Sequence, residues 1–301
     1  MITVSELVQR AYREGLAIPG FNIPYLPMMQ PVVAALRESR TVGLIMVARL
    51  EWEKFEAQSL DAVKAEYDRV ADQGYTRLHL DHTPVIDEDG AGVDYMAIIN
   101  SALTLGYDSV MIDGSRLSFE DNCACTRQVV DQAHGKAVPV EAELGAVMGH
   151  ESGPMPSYET LFTSKKGFTD PDEASRFVSE TGVDWLSVAV GSIHGAISAV
   201  ARKQKKPAAR LDLEHLEHLR RQAGVPLVLH GGSGIHREYV QAAIRQGIAK
   251  INVATTLRQA YEKNMETSAA AAADAVYDAV MYVVREELKV AGSADVLLPE
   301  D

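Results

Sequence analysis

The sequence predicts a single closed (β/α)8 barrel. Eight short apolar runs alternate along the 301 residues with amphipathic stretches of helical length. Apolar runs without strict polar alternation are typical of parallel strands that are covered on both faces. No linker or shift in composition divides the chain, so one domain over residues 1–301 is expected. A doubly wound parallel sheet is the alternative that the same rhythm leaves open.

The predicted strands are the apolar runs, and most of them end near a polar residue. In chain order they cover residues 17–22, 43–47, 77–82, 109–113, 137–141, 184–190, 226–230 and 250–253. The carboxyl ends of barrel strands meet at one mouth, where the active sites of such barrels lie. The polar strand ends therefore predict a site at that mouth.

Capping residues place the predicted helices. Ser59 is expected to cap a helix through Ala71, and Asp170-Pro171 is expected to begin a helix over Asp172–Thr181. Glycines that follow predicted helices are expected to be C-terminal caps: Gly74, Gly106, Gly182, Gly224 and Gly247.

Three segments break the regular pattern. Residues 145–169 are rich in glycine and proline, and a loop of that length predicts a mobile active-site loop. Residues 196–210 form a second long connection. An Ala-rich stretch begins a C-terminal helical tail over residues 270–301. The sequence leaves open whether this tail caps the barrel or contacts a partner subunit.

Charge and cysteine content exclude several classes of function. A net charge of -13 argues against nucleic-acid and membrane-surface partners, because phosphate groups attract clustered Lys and Arg. The basic cluster Arg202–Lys206 is interpreted as a solvated loop. Cys123 and Cys125 are predicted to be reduced thiols on different faces of one helix. The sequence shows neither a signal peptide nor an apolar run near the ~20 residues of a membrane span, so a cytoplasmic protein is expected.

Three histidines follow different predicted strands at the same mouth: His82 after strand 3, His194 after strand 6 and His230 after strand 7. A single strand-end histidine is more often a hydrogen-bonded structural residue than a ligand. Three neutral imidazoles, however, leave one position of a tetrahedral zinc ion open, as catalytic sites require. Their convergence therefore predicts a catalytic zinc centre.

The other six histidines are placed elsewhere. His79 shares a strand and an orientation with Asp81, so it is expected in the barrel interior. Surface or solvated positions are expected for His134, His215, His218 and His236. His150, within residues 145–169, is left without an assignment.

A glycine-rich turn follows strand 7, and a turn that ends in threonine follows strand 8. Gly231–Gly234 and Asn252–Thr255 each precede a predicted helix. Loops after strands 7 and 8, with helix N-termini aimed at one point, form the usual phosphate site of these barrels. A phosphorylated substrate beside a metal is therefore expected.

Six motifs at these strand ends resemble those of the class II, zinc-dependent ketose-bisphosphate aldolases. They occur in the family's order within residues 20–258: His79–His82, Ser109–Ser115, Val140–Gly145, Ala189–Gly195, Leu229–Gly234 and Ile251–Thr255. The resemblance implies a TIM barrel that makes or cleaves a ketose phosphate through the enediolate of dihydroxyacetone phosphate. It also implies one zinc ion per subunit.

The same resemblance implies roles at the metal. Zinc would be held by His82, His194 and His230, with Glu143 as an alternative or outer ligand. Asp81 would transfer the proton of the hydroxyl group on the far part of the carbon chain. Glu151 would take the proton from carbon in dihydroxyacetone phosphate. Two carboxyls suit a reaction that needs a base at carbon and an acid at the aldehyde oxygen.

Further residues would bind the substrate and a second ion. The phosphate would contact Gly232, Ser233, Asn252 and Thr255. The carbonyl groups of Gly195 and Gly231 would bind a monovalent cation, Na⁺ or K⁺, and Asn22 would hydrogen-bond substrate hydroxyls. No Schiff-base lysine is expected, since Lys250 is placed at the amino end of strand 8, away from the mouth.

The sequence departs from the family's pattern where the far half of the substrate is expected. Ala48 replaces a serine that usually helps to bind phosphate, and bulky Arg49–Trp52 follows it. Pro24 stands in place of a second asparagine, and Ala254 where fructose-specific enzymes often carry aspartate. These departures predict that fructose 1,6-bisphosphate is a poor substrate.

Several alternatives remain open from the sequence. Arg49 and the Arg202–Lys206 cluster are expected either to meet a second phosphate or to be surface charge. The chain is alternatively a fructose-1,6-bisphosphate aldolase proper, a zinc barrel sugar-phosphate epimerase, or a non-catalytic sugar-phosphate-binding paralogue. A homodimer or homotetramer is expected.

Overall fold

Eight parallel strands close into a barrel in the computed structural model, which describes residues 2–147, 158–192 and 209–298. In chain order they are β1 (Ile18–Asn22), β2 (Gly43–Ala48), β3 (Thr76–Pro84), β4 (Ser109–Asp113), β5 (Val140–Leu144), β6 (Trp185–Val188), β7 (Leu227–Leu229) and β8 (Ile248–Val253). The barrel closes where β1 pairs with β8, with Ile18 opposite Lys250. The predicted (β/α)8 fold is therefore confirmed.

Helices alternate with the strands on the outside of the barrel. The helices up to β5 are α1 (Val4–Glu14), α2 (Met29–Glu38), α3 (Arg49–Lys54), α4 (Leu60–Val70), α5 (Tyr95–Leu105) and α6 (Phe119–His134). Those after β5 are α7 (Tyr158–Ser164), α8 (Pro171–Thr181), α9 (Leu213–Ala223), α10 (Arg237–Arg245), α11 (Thr255–Met265), α12 (Ala269–Tyr282) and α13 (Ala294–Leu297).

Most predicted strand boundaries lie within two residues of the structure, but the prediction for strand 5 is wrong. It was placed at residues 137–141 and lies at Val140–Leu144. Ala137 has a positive φ of 58°, which ends an extended run, and Pro139 precedes the strand. The corrected position brings Glu143 into the strand together with Glu141. Because they are two residues apart, both point into the barrel.

The capping predictions are confirmed with one exception. The Ser59 hydroxyl accepts the N–H of Ala62, and Asp170 accepts those of Asp172 and Glu173. Of the five glycines predicted to be caps, Gly106, Gly182, Gly224 and Gly247 have a positive φ. Gly74 is not a cap: α4 already ends at Val70, and the Gly74 N–H instead bonds the Asp72 carboxylate in a turn.

The segment 145–169, predicted to be a mobile loop, contains a helix. α7 occupies Tyr158–Ser164, and the Tyr158 hydroxyl accepts the N–H of Arg210. Residues 148–157, with His150 and Glu151, lie outside the described residues, as do 193–208, with His194, Gly195 and Arg202–Lys206.

Two apolar cores leave one end of the barrel available for a site. One core lies between the strands and the surrounding helices. The other fills the amino end, where Leu7 and Val8 of α1 pack with the interior residues Met46 and Trp185. The carboxyl-end mouth therefore carries the polar groups.

The C-terminal helices pack against the barrel of the same chain. α12 contacts α2 and α11, and the N–H groups of Gly292 and Ala294 bond the carbonyls of Ser39 and Arg40. In the described ranges, the helices are too short or too polar to cross a bilayer. Cys123 is buried and Cys125 half-buried on α6, and both are free thiols as predicted.

Candidate metal and catalytic site

An irregularity in β3 brings two consecutive residues to the barrel mouth. The pairing of β3 with β4 passes from Leu80–Val110 to Thr83–Ile112, so β3 has one extra residue between these pairs. In a regular strand, Asp81 and His82 would point to opposite faces. A bulge of this kind re-aims a side chain. Both groups therefore reach the same site.

Asp81 is held by two amide groups. Asn22 on β1 donates from Nδ2 to Asp81 Oδ2 at 2.9 Å, and Asn252 on β8 donates from Nδ2 to Oδ1 at 2.9 Å. Burial raises the pKa of Asp81, but the positive charges of His82 and Lys250 outweigh it and hold the pKa below its usual range. The carboxylate is thus ionised and fixed in orientation.

Two histidine rings meet beside Asp81. The rings of His82 and His230 lie 4.5 Å apart between centroids. His82 Nδ1 lies 3.1 Å from Asp113 Oδ2, and His230 Nε2 lies 2.8 Å from Glu141 Oε1. Such carboxylate partners orient the imidazoles of metal centres and raise their basicity.

Glu143 completes a set of metal-binding groups. Its Oε2 is buried, accepts no hydrogen bond among the described residues, and lies 3.3 Å from His230 Nδ1. Ligand atoms of Asp81, His82 and His230, and likewise of His82, Asp113 and Glu143, lie within 4.8 Å of one another. Two anchored imidazoles facing a carboxylate oxygen fit a zinc ion.

The charge of the site also favours a cation. Burial lowers the pKa of His82, but Asp81, Asp113 and Glu143 outweigh it and raise the pKa to about 10. The field that stabilises a proton on His82 would likewise stabilise a divalent ion in its place. The third predicted ligand, His194, lies outside the described residues.

Lys250 lies directly beneath the site, which corrects the prediction that it sits at the amino end away from the mouth. β8 begins two residues earlier, at Ile248, so the long side chain reaches upward inside the barrel. Its Nζ donates to Glu141 Oε2 and Asn252 Oδ1, each at 2.8 Å. Because Lys250 takes the amide oxygen of Asn252, the amide nitrogen faces Asp81.

His79 belongs to the same buried network, as predicted. Its Nδ1 lies 2.8 Å from the Ser109 hydroxyl, and burial lowers its pKa to about 3. Glu141 also accepts Trp185 Nε1 at 2.7 Å, which joins the network to the amino-end core. Hydrogen bonds therefore connect most polar groups in the floor of the site, while His79 Nε2 has no hydrogen-bond partner among the described residues.

The remaining histidines among the described residues are peripheral. His218 and His236 are exposed, and half-exposed His134 lies 2.8 Å from an Asp184 carboxylate oxygen. The prediction of a solvated His215 is wrong. Its Nε2 bonds the Thr169 carbonyl at 2.7 Å, because α9 packs close to the end of the 145–169 segment.

The loops after β7 and β8 are joined closely. The Gly232 N–H donates to the Asn252 carbonyl at 3.1 Å, and a Cβ on Gly232 would meet Ile251 Cγ2 at 2.6 Å. Ser233 Oγ accepts the N–H of Thr256 in the first turn of α11 at 3.5 Å. Ala254, the residue before α11, offers no capping side chain, and α11 begins at Thr255, so its N-terminus suits an anion.

The strand-2 rim carries a residue that sequence reasoning missed. Glu51 is only 6% exposed, and its Oε2 accepts the Ala48 N–H at 2.8 Å and approaches Asn22 Nδ2 at 3.5 Å. Burial, with Asp81 nearby, raises the pKa of Glu51 to about 8. A glutamate three residues after a strand end is a helix-capping signal. That signal does not reveal burial at the mouth.

Arg49 lies beside Glu51 and its charge is matched by two acids. Its guanidinium is 3.6 Å from Asp87 and 3.8 Å from Glu53. A small cavity of about 70 Å³ runs from this rim to the metal-site residues, lined by Ala48, Arg49, His82, Glu88, Asp113 and Arg116 among others. The rim therefore adjoins the position expected for the reacting carbon chain.

The similarity to known proteins covers the whole barrel. The family model of class II fructose-bisphosphate aldolases matches residues 2–296. The YdjI aldolase from Escherichia coli K12 is 28% identical, with a TM-score of 0.76 over 98% of this chain and 100% of that one. A Coccidioides immitis protein described as a candidate fructose-1,6-bisphosphate aldolase is 26% identical, with a TM-score of 0.75 over 96% of each chain.

Proposed function

Since this chain belongs to the class II fructose-bisphosphate aldolase family and is an aldolase, we propose that it makes or cleaves a ketose phosphate through dihydroxyacetone phosphate, with zinc as its metal. The observation that carries the proposal is the meeting of His82, His230 and Glu143 beside an ionised Asp81: Glu143 Oε2 lies 3.8 Å from His82 Nδ1 and 3.3 Å from His230 Nδ1. A site that only bound a sugar phosphate would need no such carboxylate.

The proposed zinc ligands are His82, His194 and His230, with Glu143 as the outer or alternative ligand. When bound, zinc would act as a Lewis acid that stabilises the negative charge developing on the three-carbon fragment. Asp113 and Glu141 orient His82 and His230 respectively, so both rings are preorganised toward Glu143.

Two carboxyls divide the proton transfers. Asp81 would take the proton from the hydroxyl that becomes the aldehyde during cleavage, and return it in synthesis. Its amide partners, Asn22 and Asn252, donate to both carboxylate oxygens and keep it aimed at the mouth. Glu151 would exchange the proton at the carbon of dihydroxyacetone phosphate.

The phosphate of the three-carbon fragment would bind at the loops after β7 and β8. Gly232 and Ser233 lie there beside the start of α11 at Thr255, and Asn252 links this loop to Asp81. Carbonyl groups of Gly195 and Gly231 would bind Na⁺ or K⁺ next to the phosphate. Helix N-termini and oriented N–H groups suit such an anion.

The far half of the ketose distinguishes this enzyme from a fructose-bisphosphate aldolase proper. Arg49 is proposed to be a rim residue rather than a strong phosphate ligand, since Asp87 and Glu53 already face its guanidinium. Fructose 1,6-bisphosphate is therefore proposed to be a poor substrate. We also expect a homodimer or homotetramer in the cytoplasm, which sedimentation and cell fractionation would test.

A proton-exchange assay tests the proposed reaction. The zinc-loaded enzyme is mixed with dihydroxyacetone phosphate in D₂O without any aldehyde, and loss of the carbon-bound proton signal is followed by NMR. Exchange that a chelator stops and zinc restores supports the proposal. An epimerase of sugar phosphates or a binding protein would give no exchange, and then added ketose phosphates would yield no triose phosphate.

A further inference from the structure

Glu51 is placed at the active-site mouth by the junction of β2 and α3. Ala48 ends β2 and α3 begins at the next residue, so the chain turns sharply over the rim. The Glu51 side chain folds back over this turn and accepts the Ala48 N–H at 2.8 Å. A glutamate that merely capped an exposed helix would remain in water, whereas this one is 6% exposed.

One amide group links Glu51 to the proton-handling carboxylate. Asn22 Nδ2 lies 2.9 Å from Asp81 Oδ2 and 3.5 Å from Glu51 Oε2. The two carboxyl groups thus lie on two sides of the same nitrogen. Two neighbouring hydroxyls of one bound carbon chain would therefore lie near the two carboxyl groups, one at Asp81 and the next at Glu51.

The position of Glu51 in the barrel assigns it to the aldehyde half of the substrate. In an eight-stranded barrel, β2 and β3 lie opposite β6 and β7. The phosphate loop Gly231–Gly234 follows β7, and His82 and His230 lie between the two sides. A ketose phosphate whose phosphate lies at the β7 loop must extend its far carbons toward the β2 rim.

The charge of the β2 rim disfavours a second phosphate. Among the described residues of this rim, the acids Glu53, Asp87 and Glu88 outnumber the arginines Arg49 and Arg116. A phosphate dianion on the far half would meet these carboxylates at close range, and like charges repel more strongly where water is scarce.

The protonation of Glu51 suits a hydroxyl. With its pKa raised to about 8, this carboxyl is mostly uncharged at neutral pH, and an uncharged carboxyl both donates and accepts hydrogen bonds. A sugar hydroxyl has the same dual capacity, whereas a phosphate dianion only accepts.

On this geometry, and resting on the proposed aldol reaction, we infer that Glu51 is a specificity-determining residue: it hydrogen-bonds a hydroxyl of the aldehyde fragment next to the carbonyl, and the enzyme selects an uncharged polyhydroxyl aldehyde over an aldehyde phosphate. A site built around a substrate hydroxyl rejects an analogue that leaves its buried polar group unpaired.

The test compares two aldehydes in the synthesis direction. Zinc-loaded enzyme is given dihydroxyacetone phosphate with either glyceraldehyde or glyceraldehyde 3-phosphate, and kcat/KM is measured for each aldehyde. The wild type should favour glyceraldehyde. Glu51→Ala should lower kcat/KM for glyceraldehyde by about 10- to 100-fold, the effect of losing one hydrogen bond to a buried partner, and should leave the value for the phosphorylated aldehyde within about 3-fold.

Two further variants and a second readout keep the result decisive. Glu14→Gln removes an exposed carboxylate of α1, which packs at the opposite end of the barrel, and should leave the ratio of the two aldehydes unchanged. Glu51→Gln retains a side chain that donates and accepts, so it should lose less than Glu51→Ala. If Glu51→Ala does not fold, Glu51→Leu, which fills the space without a hydrogen-bonding group, takes its place: a weaker preference for glyceraldehyde supports the inference, and an unchanged preference overturns it.

Solvent exchange of dihydroxyacetone phosphate, measured in the same preparations, separates the two claims. Exchange in the wild type and in both Glu51 variants supports the inference when the preference for glyceraldehyde is strongest in the wild type, weaker in Glu51→Gln and lost in Glu51→Ala. Exchange with equal use of both aldehydes, or with glyceraldehyde 3-phosphate preferred by the wild type, overturns the inference alone. Absence of exchange in the wild type overturns the proposed function, and the inference with it.

Discussion

The two sides of the barrel mouth differ in how closely they follow the family's pattern. On the β7–β8 side, small residues bring the two loops together, and Gly232 leaves no room for a Cβ. On the β2–β3 side, Ala48, Arg49 and Glu51 replace the hydroxyl and small residues that the family usually carries. One side fits a phosphate, and the other is crowded and acidic.

This difference separates the common part of the reaction from the variable part. Every proposed substrate shares dihydroxyacetone phosphate, so the groups that bind it can stay the same while aldehydes change. Asp81 belongs to β3 and is anchored by Asn22 of β1 and Asn252 of β8, so hydrogen bonds link it to the β7–β8 side. Under the proposed function, binding of the three-carbon fragment depends on the β7–β8 side, and specificity for the aldehyde depends on the rim.

Loss of the metal should abolish activity whichever aldehyde is used. His230→Ala removes the ring that Glu141 orients and should lower kcat/KM by about 10³-fold or more, since the metal supplies several kcal/mol of charge stabilisation. Zinc content and cleavage rate are the measurements. Full cleavage in the presence of a chelator, or trapping of substrate on a lysine by borohydride, would contradict a metal-dependent reaction.

Asp81→Asn should separate the two half-reactions. Loss of a positioned proton-transfer group lowers the aldol step by about 10²- to 10⁴-fold. Exchange of dihydroxyacetone phosphate with solvent should persist, because it needs only the β7–β8 side and the base. A variant that loses both activities equally would show that Asp81 also serves the three-carbon half.

Glu151→Gln should have the reciprocal effect. It should slow proton exchange at the carbon of dihydroxyacetone phosphate by about 100-fold or more, while zinc content stays unchanged. NMR exchange rates and metal analysis check this. Wild-type exchange in the variant would place the base elsewhere, with His150 as the next residue to replace.

Gly232→Ala, on the β7–β8 side, should destabilise the protein more than a matched glycine substitution near the β2–β3 side. The new Cβ would lie 2.6 Å from Ile251 Cγ2 and 2.8 Å from the Asn252 carbonyl, so we expect about 1–3 kcal/mol of destabilisation. Gly92→Ala, in the loop after β3, meets open space and should change stability by no more than about 0.5 kcal/mol. Denaturant unfolding of both variants compares them directly.

The acidity of Glu51 should appear as a pH dependence of stability. Its pKa is 4.5 when unfolded and about 8 when folded, so between these values the folded state holds the extra proton. Its stabilising contribution is complete below pH 4.5 and is lost as the pH rises toward 8, by at most about 1.4 kcal/mol per pH unit. Subtracting the Glu51→Gln stability curve from that of the wild type should isolate this fall. A flat difference over that window would show that Glu51 is ionised.

The sequence predicts the barrel because the alternation of an apolar run with a stretch of helical length is repeated eight times. It predicts that His82 and His230 belong to one site because the carboxyl ends of the strands meet at one mouth. It does not predict how Asp81 and His82 both reach the site. Adjacent residues of a strand point apart, and the bulge in β3 that overcomes this depends on pairing with β4.

Two other features depend on tertiary packing in the same way. The reach of Lys250 to Glu141 follows from where β8 begins, which the sequence placed two residues too late. From the sequence alone, Glu51 is indistinguishable from an ordinary helix-capping residue. The structure shows that it is buried beside Asn22. The residues that follow the family's pattern could thus be identified by resemblance. The burial of Glu51 at the mouth could be seen only in the structure.

Steady-state kinetics with fructose 1,6-bisphosphate test most directly the claim that the two sides of the mouth have diverged. The enzyme should exchange the carbon-bound proton of dihydroxyacetone phosphate readily, yet cleave fructose 1,6-bisphosphate with a kcat/KM below about 10⁴ M⁻¹s⁻¹, the lower range for natural substrates. A kcat/KM above that value would show that the β2 rim accepts a second phosphate, and would contradict the account.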